Sequence, residues 1–182
     1  RFLMIARILY DKGYQEYVDA AKIVKAKYPD VKIELLGPLA PQSPMGVPYS
    51  VIQKDMNDGY IDYLGVTDDV TQYLKKDGTV MVVPSKYLEG LNRSLMEACA
   101  MGRPVITTDI PGCKETIDHG KNGFLVPPSN AEALAKAMID FIELPKEKKK
   151  EMAKASYLRA VELFDIRQVV DHYWTIVNHL VK

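Results

Sequence analysis

Two glutamates with seven residues between them, Glu89 and Glu97, bracket a glycine and a helix start in the run Pro84-Ser85-Lys86-Tyr87-Leu88-Glu89-Gly90-Leu91-Asn92-Arg93-Ser94-Leu95-Met96-Glu97-Ala98. This order suits a ligand that is anionic in one part and hydroxylated in another. Residues 79–83 have the pattern of a buried strand, Pro84 ends it, and Asn92 is an N-cap for an amphipathic helix that reaches Met101 and stops at Gly102. Gly90 permits close backbone approach, and the amides around Leu91 and Asn92, with the helix dipole behind them, can bind a diphosphate. Carboxylates do not hold a diphosphate, so their targets are neutral hydroxyls. Those are a sugar near Glu89 and a ribose near Glu97, about 7 Å further along the helix at ~1.5 Å per residue. A carboxylate has two oxygens to offer a vicinal diol.

The elements that must carry these residues alternate. Strand-like apolar runs at 2–6, 32–36, 61–64, 80–83, 105–107 and 124–126 are separated by helical patterns at 14–28, 69–76, 92–101, 131–142, 146–163 and 166–181. Such alternation predicts an α/β fold, a doubly wound parallel sheet of about six strands with helices on both faces. Ser50 and Gln53 have capping-box spacing and predict a further short helix to Asn57. Before it, residues 38–48 are rich in Pro, Gly and Ser and read as a surface excursion of the kind that is often functional or mobile. In doubly wound sheets ligands bind at the carboxyl ends of the strands. Arg7, Gly37, Leu64 to Val66, Glu89 and Asp109 all follow strand ends, which puts residues distant in sequence on one rim.

Composition limits the function classes. The chain has 182 residues, 47% of them hydrophobic, enough for one well-cored domain spanning 1–182. It contains no apolar run near the roughly eighteen residues of a membrane span, and no secretion signal is recognisable. Its 24 basic and 24 acidic residues leave a formal net charge of zero, which disfavours nucleic acid bound through a bulk electrostatic field. Cys99 and Cys113 offer neither a disulfide framework nor a metal-ligand pattern and fit a reducing compartment. His119, His172 and His179 lack the spacing of a metal site or catalytic triad and read as structural or surface residues. The chain opens at Arg1 inside an apparent strand, as a piece of a longer protein would.

The spacing of Glu89 and Glu97 resembles the paired-glutamate signature of retaining glycosyltransferases of family 4, which have the GT-B fold. Ala6-Arg7 with Asp11-Lys12-Gly13 is similar to that family's Arg and Lys-Gly pair, and Leu64-Gly65-Val66 to its base-binding turn. Met101-Gly102-Arg103-Pro104-Val105-Ile106, Pro111-Gly112 with Glu115, and Gly120-Lys121-Asn122-Gly123-Phe124-Leu125-Val126 continue the likeness over nearly the whole chain. Tyr63-Leu64-Gly65-Val66-Thr67-Asp68-Asp69-Val70 and Pro111-Gly112-Cys113 bring it closest to bacterial enzymes of capsule, lipopolysaccharide and lipid-linked glycan synthesis. Within that branch it resembles the polyprenyl-diphosphate-linked N-acetylgalactosaminyl- or galactosyltransferases. Asn92 and Arg93 depart from the commonest family variants, although Asn still caps a helix.

The resemblance implies a Rossmann-like C-terminal half of a two-domain enzyme. Its expected partners are a nucleotide-sugar donor, with uridine preferred, and a lipid-linked glycan acceptor held by an absent N-terminal domain. It implies catalytic roles for Glu89, Arg7 and Lys12, the two cations neutralising the departing diphosphate. Donor binding falls to Gly90, Leu91, Asn92, Glu97, Leu64, Gly65 and Val66, with no metal and no cofactor. Taken singly, Arg7 and Lys12 are ordinary surface charges, Glu97 an exposed helical glutamate, and 64–66 a simple turn. The terminal segment 164–182, with its apolar stripe, is expected to pack in part on the missing domain. The full-length enzyme is expected to be cytoplasmic and peripheral at the inner face of the cytoplasmic membrane. Two other classes stay open: a GT-B-related nucleotide-sugar epimerase, which needs no acceptor, and a non-catalytic doubly wound binding module.

Overall fold

The computed structural model of the chain describes residues 1–88 and 90–180. Six strands, β1 (Phe2–Ile5), β2 (Ile33–Leu36), β3 (Asp62–Tyr63), β4 (Val80–Val83), β5 (Val105–Thr108) and β6 (Gly123–Val126), form one sheet in the order β3-β2-β1-β4-β5-β6. Every pairing is parallel. The helices are α1 (Tyr14–Lys27), α2 (Tyr49–Asn57), α3 (Thr71–Leu74), α4 (Arg93–Ala100), α5 (Ala131–Glu143), α6 (Lys146–Leu163) and α7 (Ile166–Leu180).

Both faces of the sheet are covered, which is why its strands read as continuous apolar runs. Side chains alternate between two cores. Phe2 and Met4 of β1 and Val80 and Val82 of β4 join α1, Ile52 of α2 and α5 on one face. Leu3, Ile5, Met81 and Val83 join Leu74, α4 and Ala160 of α6 on the other. Cys99 and Cys113 belong to this second core, neither disulfide-bonded and both fully buried. Burial pushes the Cys99 thiol up to about 12, so it stays protonated and unreactive near neutral pH.

At two helix starts the structure departs from the sequence reading. The helix expected from residue 69 starts at Thr71, because Asp69 Oδ1 accepts from the Thr71 amide at 2.9 Å and from its hydroxyl at 2.6 Å. The Ser50 capping box does not form. Pro48 is the N-cap, its carbonyl accepting from Val51 and Ile52, and Ser50 lies inside α2. The 38–48 segment is a built structure held along the chain after β1. Ile8 and Tyr10 donate to the carbonyls of Pro38 and Met45, at 3.0 and 2.8 Å, and Val47 donates back to Ile8. The last helix, α7, has no buried residue, and Tyr173, Trp174 and Leu180 of its apolar stripe are exposed.

One buried polar contact ties α1 to α2. Tyr14, fully buried, donates its hydroxyl to Asp55 Oδ2 at 2.7 Å. Desolvation, reinforced by the Asp55 carboxylate, pushes the phenol well above its usual range. Tyr14→Phe should lower unfolding stability by roughly 1–3 kcal/mol, because a buried carboxylate loses its donor. Urea denaturation measures this, and an unchanged midpoint would show that Asp55 is solvated without Tyr14.

Candidate functional site

The strand order reverses at β1. From β1 the chain moves through α1 to β2 on one side, and from β4 through α4 to β5 on the other, leaving a crevice beyond the carboxyl ends of β1 and β4. Helix α4 starts at that crevice. Ser94, in its first turn, donates to the carbonyl of Ile5, the last residue of β1, at 2.9 Å. The Asn92 side chain caps the helix by accepting from the Leu95 amide at 3.1 Å.

The loop after β1 carries both candidate cations. Arg7 is exposed immediately beyond β1, and Lys12 ends a 3₁₀ turn, Tyr10–Lys12. Gly13 follows with φ +86°, a conformation that side chains resist, and a Cβ there would lie 2.0 Å from the Pro84 carbonyl oxygen. The loops after β1 and β4 therefore touch backbone to backbone. Lys12 Nζ stands 5.8 Å from the centre of the Tyr87 ring in the second loop, a cation–π distance.

On the other side of β1, the turns after β2 and β3 are joined. The Gly37 amide donates to the Gly65 carbonyl at 2.8 Å and the Tyr63 hydroxyl donates to the Gly37 carbonyl at 2.9 Å. Gly37, at φ +144°, leaves no room for a Cβ beside the Ala6 carbonyl, 1.9 Å away. Leu64 pairs with Leu35, and Val66 projects into solvent, 63% exposed. Backbone contacts thus chain Gly65 to Gly37, Gly37 to Ala6 beside Arg7, and Gly13 to Pro84 at the end of β4.

The structure brings Arg7, Lys12, the turn Leu64-Gly65-Val66, and Gly90, Leu91 and Asn92 to this one edge of the sheet. Glu89 lies outside the described residues. Gly90 is exposed, with open space where a Cβ would be, and Leu91 is half exposed. One detail differs from the sequence reading: the Asn92 amide is not available to an anion, because it donates to the Gly112 carbonyl at 2.8 Å. The amides of Gly90, Leu91, Arg93 and Ser94 have no acceptor among the described residues and are the donors the helix start offers. Glu97 accepts from Arg93 Nε at 2.9 Å one turn back, with a third of its side chain exposed. It also edges a groove of about 660 Å³ between α4, α6 and the start of α7, floored by Met96, Ala100, Tyr157, Val161 and Phe164. That groove touches none of Arg7, Lys12 or the 64–66 turn.

Sequence reading missed the supports. Ser94 is 89 residues from its partner Ile5, and the Lys86–Glu16 ion pair spans 70 residues, so no local pattern announces either. Glu115, quoted only as part of a motif, accepts from the Gly112 amide at 2.8 Å and holds the loop on which Asn92 rests. His119 accepts from the Leu125 amide at 3.0 Å, a structural role as expected. Among the described residues no group of three His, Cys, Asp or Glu is placed to hold a metal ion, and no helix is long and apolar enough to cross a membrane.

A parallel, doubly wound sheet with cations and a helix start at its switch point defines a Rossmann-like α/β domain. The sequence profile of the family "glycosyl transferases group 1" matches residues 1–159, and the chain belongs to that family. It is 27% identical over 180 residues to the N,N'-diacetylbacillosaminyl-diphospho-undecaprenol alpha-1,3-N-acetylgalactosaminyltransferase of Campylobacter jejuni, covering 99% of this chain and 45% of that protein. It is 30% identical over 132 residues to the capsular polysaccharide biosynthesis glycosyltransferase CapM of Staphylococcus aureus, covering 72% of this chain and 33% of the relative. The chain thus spans less than half the length of these relatives. Among solved structures, Anabaena Alr3699/HepE in complex with UDP superimposes with a TM-score of 0.85 at 22% identity, over 98% of this chain and 48% of that one. A glycosyltransferase from Rickettsia africae does so with a TM-score of 0.82 at 26% identity, over 100% and 48%. These neighbours have the GT-B architecture, and this chain matches about half of it.

The Asn92 cap orders the helix start on which the rim depends. Asn92→Ala should cost about 1 kcal/mol of unfolding stability while Asn92→Asp retains most of it. Denaturant melts of the two variants check this, and equal loss in both would mean that the side chain acts by something other than capping.

Proposed function

We propose that this chain is the donor-binding part of a retaining glycosyltransferase that moves a hexose or N-acetylhexosamine from a UDP-linked sugar to a lipid-linked glycan in cell-surface polysaccharide biosynthesis, releasing UDP. The observation that carries this reading is the convergence of Arg7, Lys12 and the α4 start on the crevice between β1 and β4. The donor and acceptor classes are supported by the neighbours. The Anabaena structure is a complex with UDP, and the name of the Campylobacter relative specifies an N-acetylgalactosaminyl group and an undecaprenol-diphosphate-linked acceptor.

In this reading the diphosphate lies against the amides of Gly90, Leu91, Arg93 and Ser94, with Arg7 and Lys12 completing its neutralisation. Glu97 releases Arg93 to meet the ribose hydroxyls, and 64–66 meets the base through main-chain groups and the exposed Val66 side chain. Glu89 orients the donor sugar. The bond between the anomeric carbon and the β-phosphate oxygen breaks, and the charge that accumulates on that oxygen is stabilised by the two cations and the helix start. The acceptor hydroxyl forms the new bond on the same face, and its proton passes to the departing phosphate, which accounts for retention without a protein nucleophile. No metal takes part. The acceptor belongs to a further domain, on which the terminal segment 164–182 also packs; the exposed apolar stripe of α7 supports that assignment. The whole enzyme works as a peripheral protein at the inner face of the cytoplasmic membrane.

Calorimetric titration of the chain with UDP and GDP tests the reading. UDP should bind selectively, unaffected by chelator, and Arg7→Ala or Glu97→Ala should weaken it about tenfold, the loss expected of one charge-assisted hydrogen bond. With a UDP-sugar and a polyprenyl-diphosphate-linked acceptor, the chain alone should transfer nothing. Indifference to both nucleotides, or robust transfer by the chain alone, contradicts the proposal.

A further inference from the structure

The segment between β4 and the α4 start is steered by the loop after β1, and the contact residue is Lys86. Its amide donates to the Asp11 carbonyl at 2.8 Å. Its ammonium donates to Glu16 Oε1 at 3.0 Å, with 30% of the lysine side chain and 13% of the glutamate side chain exposed. The following residue, Tyr87, is the one whose ring faces Lys12. One carboxylate oxygen each of Asp11 and Glu16 is buried without a hydrogen-bond partner. A largely buried, incompletely satisfied carboxylate is costly to leave without its counter-charge, so the ammonium is held inward at Glu16. To reach an anion in the crevice, Lys86 would have to abandon that carboxylate.

We infer that Lys86 is a positioning residue for the diphosphate site. Its two bonds fix the 84–88 segment against the turn that carries Lys12, so that the cation after β1 and the amides at the α4 start face the same anion. The competing assignment, Lys86 as a direct phosphate ligand, predicts the opposite behaviour of Glu16. The inference rests on the donor-site reading above and adds a residue pair that the motif does not contain.

The experiment is UDP titration of the wild-type chain, Lys86→Met, Glu16→Gln, the double variant and Lys86→Arg, with thermal melts as the folding control. Positioning predicts that each of the two single losses weakens UDP binding roughly tenfold. It predicts that the double variant is no worse than either single one, as for direct partners in one contact, and that Lys86→Arg recovers most of the affinity. A direct ligand predicts that Glu16→Gln, which frees the ammonium, leaves binding unchanged or tightens it, and that result overturns the inference. Wild-type binding that ignores every substitution also overturns it while leaving the donor site standing. Absence of wild-type binding overturns both. If a single variant fails to fold, the swapped pair Lys86→Glu with Glu16→Lys rebuilds the ion pair. Recovered UDP binding in the swap supports positioning, and a normal melt without binding contradicts it.

Discussion

The absence of a side chain at position 13 is the constraint from which the rim follows. Because Gly13 presses its backbone against the Pro84 carbonyl, the loops leaving β1 and β4 meet where the sheet reverses its order. The same device recurs at Gly37, set against Ala6. The rim is therefore assembled from main-chain contacts, which do not depend on the rotamers of long side chains. Arg7, Lys12 and the α4 amides take their places from that assembly, and the side chains that reinforce it, Ser94, Lys86 and Glu115, act at its joints.

Such a rim suits an anion that becomes more negative during a reaction. Amides at a helix start and cations held on the neighbouring loop are in place before charge develops, so little reorganisation is needed when it does. Net charge over the whole chain is zero. An anion drawn to this rim would therefore be drawn locally, by topology and by the orientation of a few donors.

Most of the strands were legible because burial on both faces makes them short, largely apolar runs; β3 is only two residues, Asp62 exposed and Tyr63 half-buried. The Asn92 cap was legible because its bond is to a residue three positions on. What failed did so where a distant or competing donor decides the outcome. Asn92 could not be seen to have spent its amide on Gly112, twenty residues ahead in a loop of unknown course. The Ser50 box had the right letters, but the preceding Pro48 supplies the cap geometry first. Residues 38–48 run over the surface as read, but their bonds to Ile8 and Tyr10 are ones that no pattern within the segment reveals. The α7 stripe has the periodicity of a packed helix, and its exposure here is a property of what surrounds it, which a periodicity does not encode.

The central claim is that the crevice between β1 and β4 receives a nucleoside diphosphate. Backbone amide NMR of the chain during titration with UDP tests it most directly, because it reports position as well as binding. The account predicts shifts at 7–13, 64–66 and 90–94 together, with little change at the groove formed by Met96, Tyr157 and Phe164. Shifts confined to that groove, or spread without focus on the crevice, would contradict it.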